Sequence, residues 1–179
     1  MSEAPWPWPA PEDDGGARHL VVGLAVPDIT LPATDGRAHS LARLAGQWIV
    51  FVYPWTGRPG LADPPHWDDI HGAHGSTAEA EGFRDHYAAY REMGFDVLGV
   101  SGQDPAHQGE FAARVRLPFS LLSDAEGKLS DALSLPTFET GGVRYLKRLT
   151  FVLRNGRLER TLYPIHPPHT HARDLLATL

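Results

Sequence analysis

Trp48-Ile49-Val50-Phe51-Val52-Tyr53 is a continuous apolar run, the pattern of a β-strand covered on both faces. Beyond a long loop rich in Gly, Pro and His, residues 77–93 place Ala80, Phe83, Tyr87 and Tyr90 on one face, which predicts an amphipathic helix. Gly94 stops it as the residue just past the last turn. Phe95 to Val100 reads as the next strand, and Pro105 opens a helix near 105–115, proline being suited to a first turn. Phe119 to Leu122 is a short strand, followed by a helix near 125–133. Leu149 to Arg154 and Arg157 to Tyr163 flank Asn155-Gly156, the strongest short-range hairpin signal. A last helix is expected near 171–178 with Thr170 as its cap, and a hairpin with a short helix between Val26 and Leu44. Parallel strands first, helices between them and a closing hairpin predict a thioredoxin-like α/β fold, a mixed central sheet flanked by helices.

Residues 1–16, MSEAPWPWPAPEDDGG, lack any such pattern. Alternating proline excludes helix and central strand, so residues 1–19 are expected to form a flexible Pro/Trp-rich arm ahead of one domain over 20–179. Trp6 and Trp8 can dock on the domain or on a partner, with a loosely held tail as the favoured reading. A length of 179 residues fits one domain with a sizeable core. The net charge of −6 argues against a broad cationic face, and so against nucleic acid or anionic lipid as a partner. No apolar run approaches the ~20 residues that span a bilayer, so no membrane partner is expected. Met1 to Pro11 show no basic and apolar leader pattern, which leaves a cytoplasmic location as the expectation. The absence of cysteine decides more than any of these. It removes disulfides, thiolate metal sites and every mechanism that uses a protein thiol.

Several segments then fall into a familiar order. They are Gly23-x-x-x-Pro27-Asp28-Ile29-x-Leu31, Leu41 to Gly46, Phe51-Val52-Tyr53-Pro54, GSTAEAEGFRD from Gly75 to Asp85, and Arg148-Leu149-Thr150-Phe151. Together they resemble a peroxiredoxin of the alkyl hydroperoxide reductase/thiol-specific antioxidant (AhpC/TSA) superfamily, nearest the bacterioferritin-comigratory, or Q-type, branch. The resemblance runs from about Gly23 to Leu179 and implies an antioxidant oxidoreductase fold, often dimeric. It also implies where the family's chemistry fails. Ser76 stands at the position of the peroxidatic cysteine, and Glu81 at that of the Q-type resolving cysteine. Ala73 replaces the threonine usual three positions before that cysteine, with Thr56, just after Pro54, as a substitute for similar space. The loop from Pro54 to Ser76 is longer than in most members. A peroxiredoxin uses a helix N-terminus and an arginine to lower a thiol pKa, so that a thiolate attacks the peroxide oxygen. A serine hydroxyl in that field stays protonated and has no sulfenate-like state. The chain as written is therefore not expected to run the thiol cycle.

Two readings compete at Ser76. Ser76-x-x-Glu79 has the form of a capping box, in which the hydroxyl takes the residue-79 amide and Glu79 returns to the cap. In the other, the hydroxyl serves a ligand held at the helix N-terminus. Arg148 is read as an inward guanidinium for an oxyanion or carboxylate, against an ordinary surface arginine. Ten histidines are many for this length. His66, His71 and His74 precede Ser76; His166, His169 and His171 follow the hairpin, whose return strand delivers them beside the Ser76 loop. Imidazoles from both groups can converge on one metal or one substrate, the alternative being solvated loop histidines. Asp63, Asp68 and Asp69 are candidate carboxylate ligands or plain turn formers. Trp55 and Trp67 either wall an apolar pocket or anchor the loop.

The expectation drawn from these residues is a cysteine-free, peroxiredoxin-like protein whose pocket serves His/Arg-based chemistry on a small molecule. Ser76, Arg148, His74, Thr56 and Pro54 form the expected catalytic set. His71, His74, His166 and His169 are the candidate ligands of a divalent transition metal. The first alternative is a thiol-dependent peroxidase captured as a cysteine-to-serine variant at position 76. The second is a non-catalytic binding module on the same scaffold. A homodimer is expected from the resemblance alone.

Overall fold

The segment before the apolar run folds as its pattern predicts. In the computed structural model, which describes residues 4–179, β1 (Thr30–Pro32) pairs antiparallel with β2 (Ala38–Ser40), and a 3-10 turn at Leu41–Arg43 leads on. The run itself is β3 (Gln47–Val52). Its side chains alternate between two layers, as a period of two requires. Ile49 and Phe51 face Phe83, Tyr90, Phe111 and Leu175. Val50 and Val52 face the opposite layer, with Leu98, Leu129 and Phe151.

The predicted helix over 77–93 is two helices, α1 (Ser76–Asp85) and α2 (Tyr87–Glu92). His86 separates them at φ −101°, ψ 4°, where its amide and its ring Nδ1 both reach the Gly82 carbonyl. Strand β4 (Phe95–Ser101) and helix α3 (Pro105–Arg114) follow, the latter capped by Asp104, which accepts from the His107 amide at 2.8 Å. Strand β5 (Leu121–Ser123) starts two residues later than expected, and α4 (Lys128–Ala132) is shorter than its predicted span. A second hairpin, β6 (Thr137–Thr140) with β7 (Val143–Leu146), is absent from the sequence expectation. It props the long loop, because Trp67 packs on its Phe138 and Tyr145 rings.

Strands β8 (Leu149–Arg154) and β9 (Arg157–Leu162) form the expected hairpin, with Asn155 and Gly156 both at positive φ. Helix α5 (His171–Leu176) is the last element, and Thr170 stands at its N-cap as expected but makes no side-chain cap hydrogen bond. Thr170 lies in a preceding 3-10 turn and donates to the Asp174 carboxylate instead. The central sheet has the order β5-β4-β3-β8-β9. Strands β3, β4 and β5 run parallel, while β8 is antiparallel to β3, so Val52 sits opposite Leu149. That register brings the exit of β3 and the residue entering β8, Arg148, to one edge of the fold. No helix among the described residues is long and apolar enough to cross a membrane.

Candidate active site

Helix α1 begins where the long loop comes back to that edge. Its N-cap is Gly75, at φ +113°, and Ser76 is the first helical residue. The capping box is therefore not formed. A left-handed glycine makes the turn into the helix, and both box side chains are drawn to Arg148. Arg148 is buried, 4% exposed, and donates through Nη1 to Glu79 Oε1 at 3.0 Å. Through Nη2 it reaches Ser76 Oγ at 3.1 Å, the His74 carbonyl at 3.2 Å and the Ala73 carbonyl at 3.3 Å. One guanidinium thus fixes the last residues of the loop against the first turn of the helix.

The sequence pattern assigns Glu79 to the cap, but the structure pairs it with Arg148. Glu79 is fully buried. Burial pushes its carboxyl up to about 7, with the Arg148 guanidinium pulling the other way. The signal was available: Ser76, Glu79, Ala80 and Phe83 share one helix face, and an acid on a core face needs a partner. His171 lies behind the same arginine. Its Nε2 is bonded to Thr150 Oγ1 at 2.9 Å, and burial, then the Arg148 charge, lowers the imidazole to about 4. It is held neutral and belongs to the core rather than to the loop histidines.

Ser76 opens onto a cavity of about 390 Å³ whose lining includes Trp6, Trp55, Trp67, His74 and Thr77. Both readings of the loop tryptophans hold together. Trp67 is buried and anchors the loop, and its edge-on contact with Trp55 at 5.4 Å walls the cavity. Thr56 does not join the set. Its amide and hydroxyl both donate to Gln103 Oε1, at 2.9 and 3.1 Å, so the side chain is taken up by the turn between β4 and α3. Pro54 lines a separate cavity of about 320 Å³ with Gln103 and His107.

The hairpin does return the 164–171 segment to the Ser76 loop, where Pro168 packs on Gly75. The four candidate metal ligands nevertheless fail to converge: two of the imidazoles are stacked on tryptophans and the other two are exposed. His74 is bonded to Asp68 at 2.7 Å and stacked flat on Trp8, with ring centroids 3.7 Å apart. His169 is stacked on Trp6 at 4.9 Å. His71 and His166 are exposed, His71 beside a second cavity of about 320 Å³ that also meets Arg148 and Tyr163. Among the described residues, the group of three ligand-type side chains that does come within 4.8 Å of one another is Asp63, Asp68 and His74, which brings in one of the four histidines. The tryptophans responsible belong to the N-terminal arm. The arm has no helix or strand over its described residues, as expected, but it is docked on the domain rather than loosely held.

Comparison with known proteins agrees with this geometry. The AhpC/TSA family model matches residues 71–160. Peroxiredoxin Q, chloroplastic, of Oryza sativa subsp. japonica is 33% identical over 159 residues, covering 88% of this chain. The match spans 65% of the rice protein, just under two thirds of its length. Peroxiredoxin Q, chloroplastic, of Sedum lineare is 30% identical, covering 88% of this chain and 76% of that protein. The crystal structure of peroxidoxin BcpB from Mycobacterium tuberculosis has a TM-score of 0.70 at 26% identity, covering 89% of this chain and 96% of that one. A cysteine-to-serine mutant of Xylella fastidiosa PrxQ shares the fold, with a TM-score of 0.71 at 20% identity over 89% of this chain and 95% of that one.

These relatives are peroxiredoxins. With the histidines dispersed, they overturn the expectation of His/Arg-based, metal-dependent chemistry on a small molecule. The family match spans Ser76 and Arg148 together, and the chain belongs to the AhpC/TSA family, with serine where its members carry the peroxidatic cysteine.

Proposed function

We propose that the Ser76 pocket is the hydroperoxide site of a thiol-dependent peroxidase, with a serine standing in for the attacking thiol. The observation that carries this reading is the 3.1 Å hydrogen bond from Arg148 Nη2 to Ser76 Oγ, made out of solvent at the first residue of a ten-residue helix. A group placed there feels the guanidinium and the helix N-terminus at once. For a sulfur atom that field favours the thiolate. The thiolate attacks one peroxide oxygen, an S–O bond forms, and the O–O bond breaks. The departing oxygen takes a proton and leaves as water or an alcohol, and the sulfur, having given up two electrons, becomes a sulfenic acid. Return to the thiol draws two electrons from an external reductant, which must meet the sulfenic acid directly because the chain supplies no resolving cysteine.

Serine receives the same field, but its oxygen has no corresponding oxidised state. The chain as it stands binds the hydroperoxide and does not reduce it. Trp55 and Trp67 offer an apolar wall for the organic part of such a molecule. With dithiothreitol as reductant, Ser76→Cys is expected to consume hydrogen peroxide or cumene hydroperoxide, while the parent chain matches a protein-free blank. The proposal is overturned by turnover in the parent chain. It is equally overturned if Ser76→Cys reacts with an alkylating reagent yet consumes no hydroperoxide.

A further inference from the structure

Proline alternates with tryptophan through Pro5-Trp6-Pro7-Trp8-Pro9. Such a stretch is already close to the extended polyproline conformation, so laying it on a surface loses little backbone freedom. Its contacts fall on the loop before Ser76, on the returning tail and beside Arg148. Trp8 lies against His74, two residues before Ser76, with the rings only 9° from parallel. Trp6 stacks on His169 in the returning tail and is itself part of the wall of the Ser76 cavity. Pro11 covers Gly72, where an added Cβ would come within 3.1 Å of the proline ring. Asp14 ties the arm down beside Arg148. Its carboxylate accepts from Lys147 Nζ at 2.8 Å and from the Tyr163 hydroxyl at 2.7 Å. Gly75 shows how close the cover is, since a Cβ there would run into Pro168 and lie 2.8 Å from the Trp6 ring.

We propose that the arm is a lid on the Ser76 site, and that Trp6 and Trp8 determine which molecules reach position 76. A molecule the size of hydrogen peroxide passes through the cavity with the arm in place. One that carries a bulky apolar substituent reaches Ser76 only when the two indoles lift. Naming peroxides as the admitted molecules rests on the hydroperoxide reading above; the control of access does not.

The lack of cysteine supplies a clean test, because Ser76→Cys introduces the chain's sole thiol. Its alkylation rate is measured with iodoacetamide and with N-(1-pyrenyl)maleimide, each divided by the rate for a free thiol. Adding Trp6→Ala and Trp8→Ala is expected to speed the pyrene reagent by about tenfold or more, the order expected from losing two ring stacks, and iodoacetamide by less than about twofold. Trp6→Phe with Trp8→Phe keeps stacking rings and is expected to leave both rates near those of Ser76→Cys alone. Asp14→Ala unties the arm without touching the cavity wall, so it too is expected to favour the pyrene reagent, whatever the alanine pair does to folding. Equal acceleration of both reagents, or no acceleration of the pyrene reagent by either route, overturns the lid. Peroxide plays no part in this readout. A Ser76→Cys chain that labels as described but consumes no hydroperoxide removes the hydroperoxide reading and leaves the lid standing.

Discussion

Glu79 and His171 both feel the Arg148 charge from inside the protein, and they act on stability in opposite directions over overlapping pH windows. Burial raises the Glu79 carboxyl from an ordinary 4.5 to about 7. Between those values the folded protein keeps a proton that the unfolded chain has released. The Glu79 contribution is therefore full below about 4.5 and is lost as pH rises through about 7. His171 runs the other way. Burial lowers its imidazole from 6.5 to about 4, so in that interval the unfolded chain holds the extra proton and stability rises with pH. Each slope is at most about 1.4 kcal/mol per pH unit, the value for one proton. In the parent chain the two cancel between about 4.5 and 6.5.

Single substitutions uncover them. Glu79→Gln is expected to leave the rising slope and His171→Gln the falling one, each near 1.4 kcal/mol per pH unit at about pH 5.5. Glu79→Gln keeps an amide oxygen that can accept from Arg148 Nη1 in place of the carboxyl, and Nη2 keeps its other acceptors, so the arginine stays partnered while the titration is removed. The lowered carboxyls Asp14, Asp28, Asp35 and Asp174 act below their ordinary 3.8, and Glu110 and Glu126 below their ordinary 4.5, so the slopes are compared at about pH 5.5. Urea unfolding at closely spaced pH values gives the free energy and its m-value together. Parallel profiles for the two variants, or slopes with the signs exchanged, would refute the reasoning.

Gly75→Ala is expected to cost about 2–4 kcal/mol, from a positive φ and from the collision of a new Cβ with Pro168 and Trp6; a loss under about 1 kcal/mol in thermal unfolding would mean the tail and arm are not packed there. Trp67→Ala removes the buried ring that joins the long loop to the β6–β7 hairpin and is expected to cost about 3–5 kcal/mol, read as a lowered urea midpoint. Ser76→Ala loses one acceptor of Arg148 rather than a helix cap, so a cost of about 1 kcal/mol is expected together with an unchanged α1 amide exchange pattern.

What the sequence made legible follows burial and turn chemistry. Strands β3 and β4 are covered on both faces and read directly as apolar runs. Asn155-Gly156 fixes the β8–β9 hairpin, and from its direction follows the meeting of the tail with the Ser76 loop. The β6–β7 hairpin escapes because its strands are half-exposed and carry little apolar contrast, although Gly141-Gly142, both at positive φ, marks its turn. At the site, motif order places Ser76 and Arg148 together. The role of Glu79 stays hidden, because Ser-x-x-Glu fits a cap equally well and its true partner lies 69 positions along the chain. The histidines mislead for a similar reason. Local spacing shows that imidazoles arrive at the site, but not that Trp6 and Trp8 of the arm already occupy two of their faces.

The thiolate titration of Ser76→Cys, followed by its ultraviolet absorbance, tests the central claim most directly. Arg148 Nη2 donates to the substituted atom, which sits on the first residue of α1. Any thiolate there gains a charge-assisted hydrogen bond as well as the helix field, so the introduced thiol is expected to titrate clearly below the free value of about 8.5. Adding Arg148→Met is expected to move it back up. A thiol that titrates at or above about 8.5 with Arg148 in place would contradict the account, because position 76 would then not be the seat of a peroxidatic sulfur.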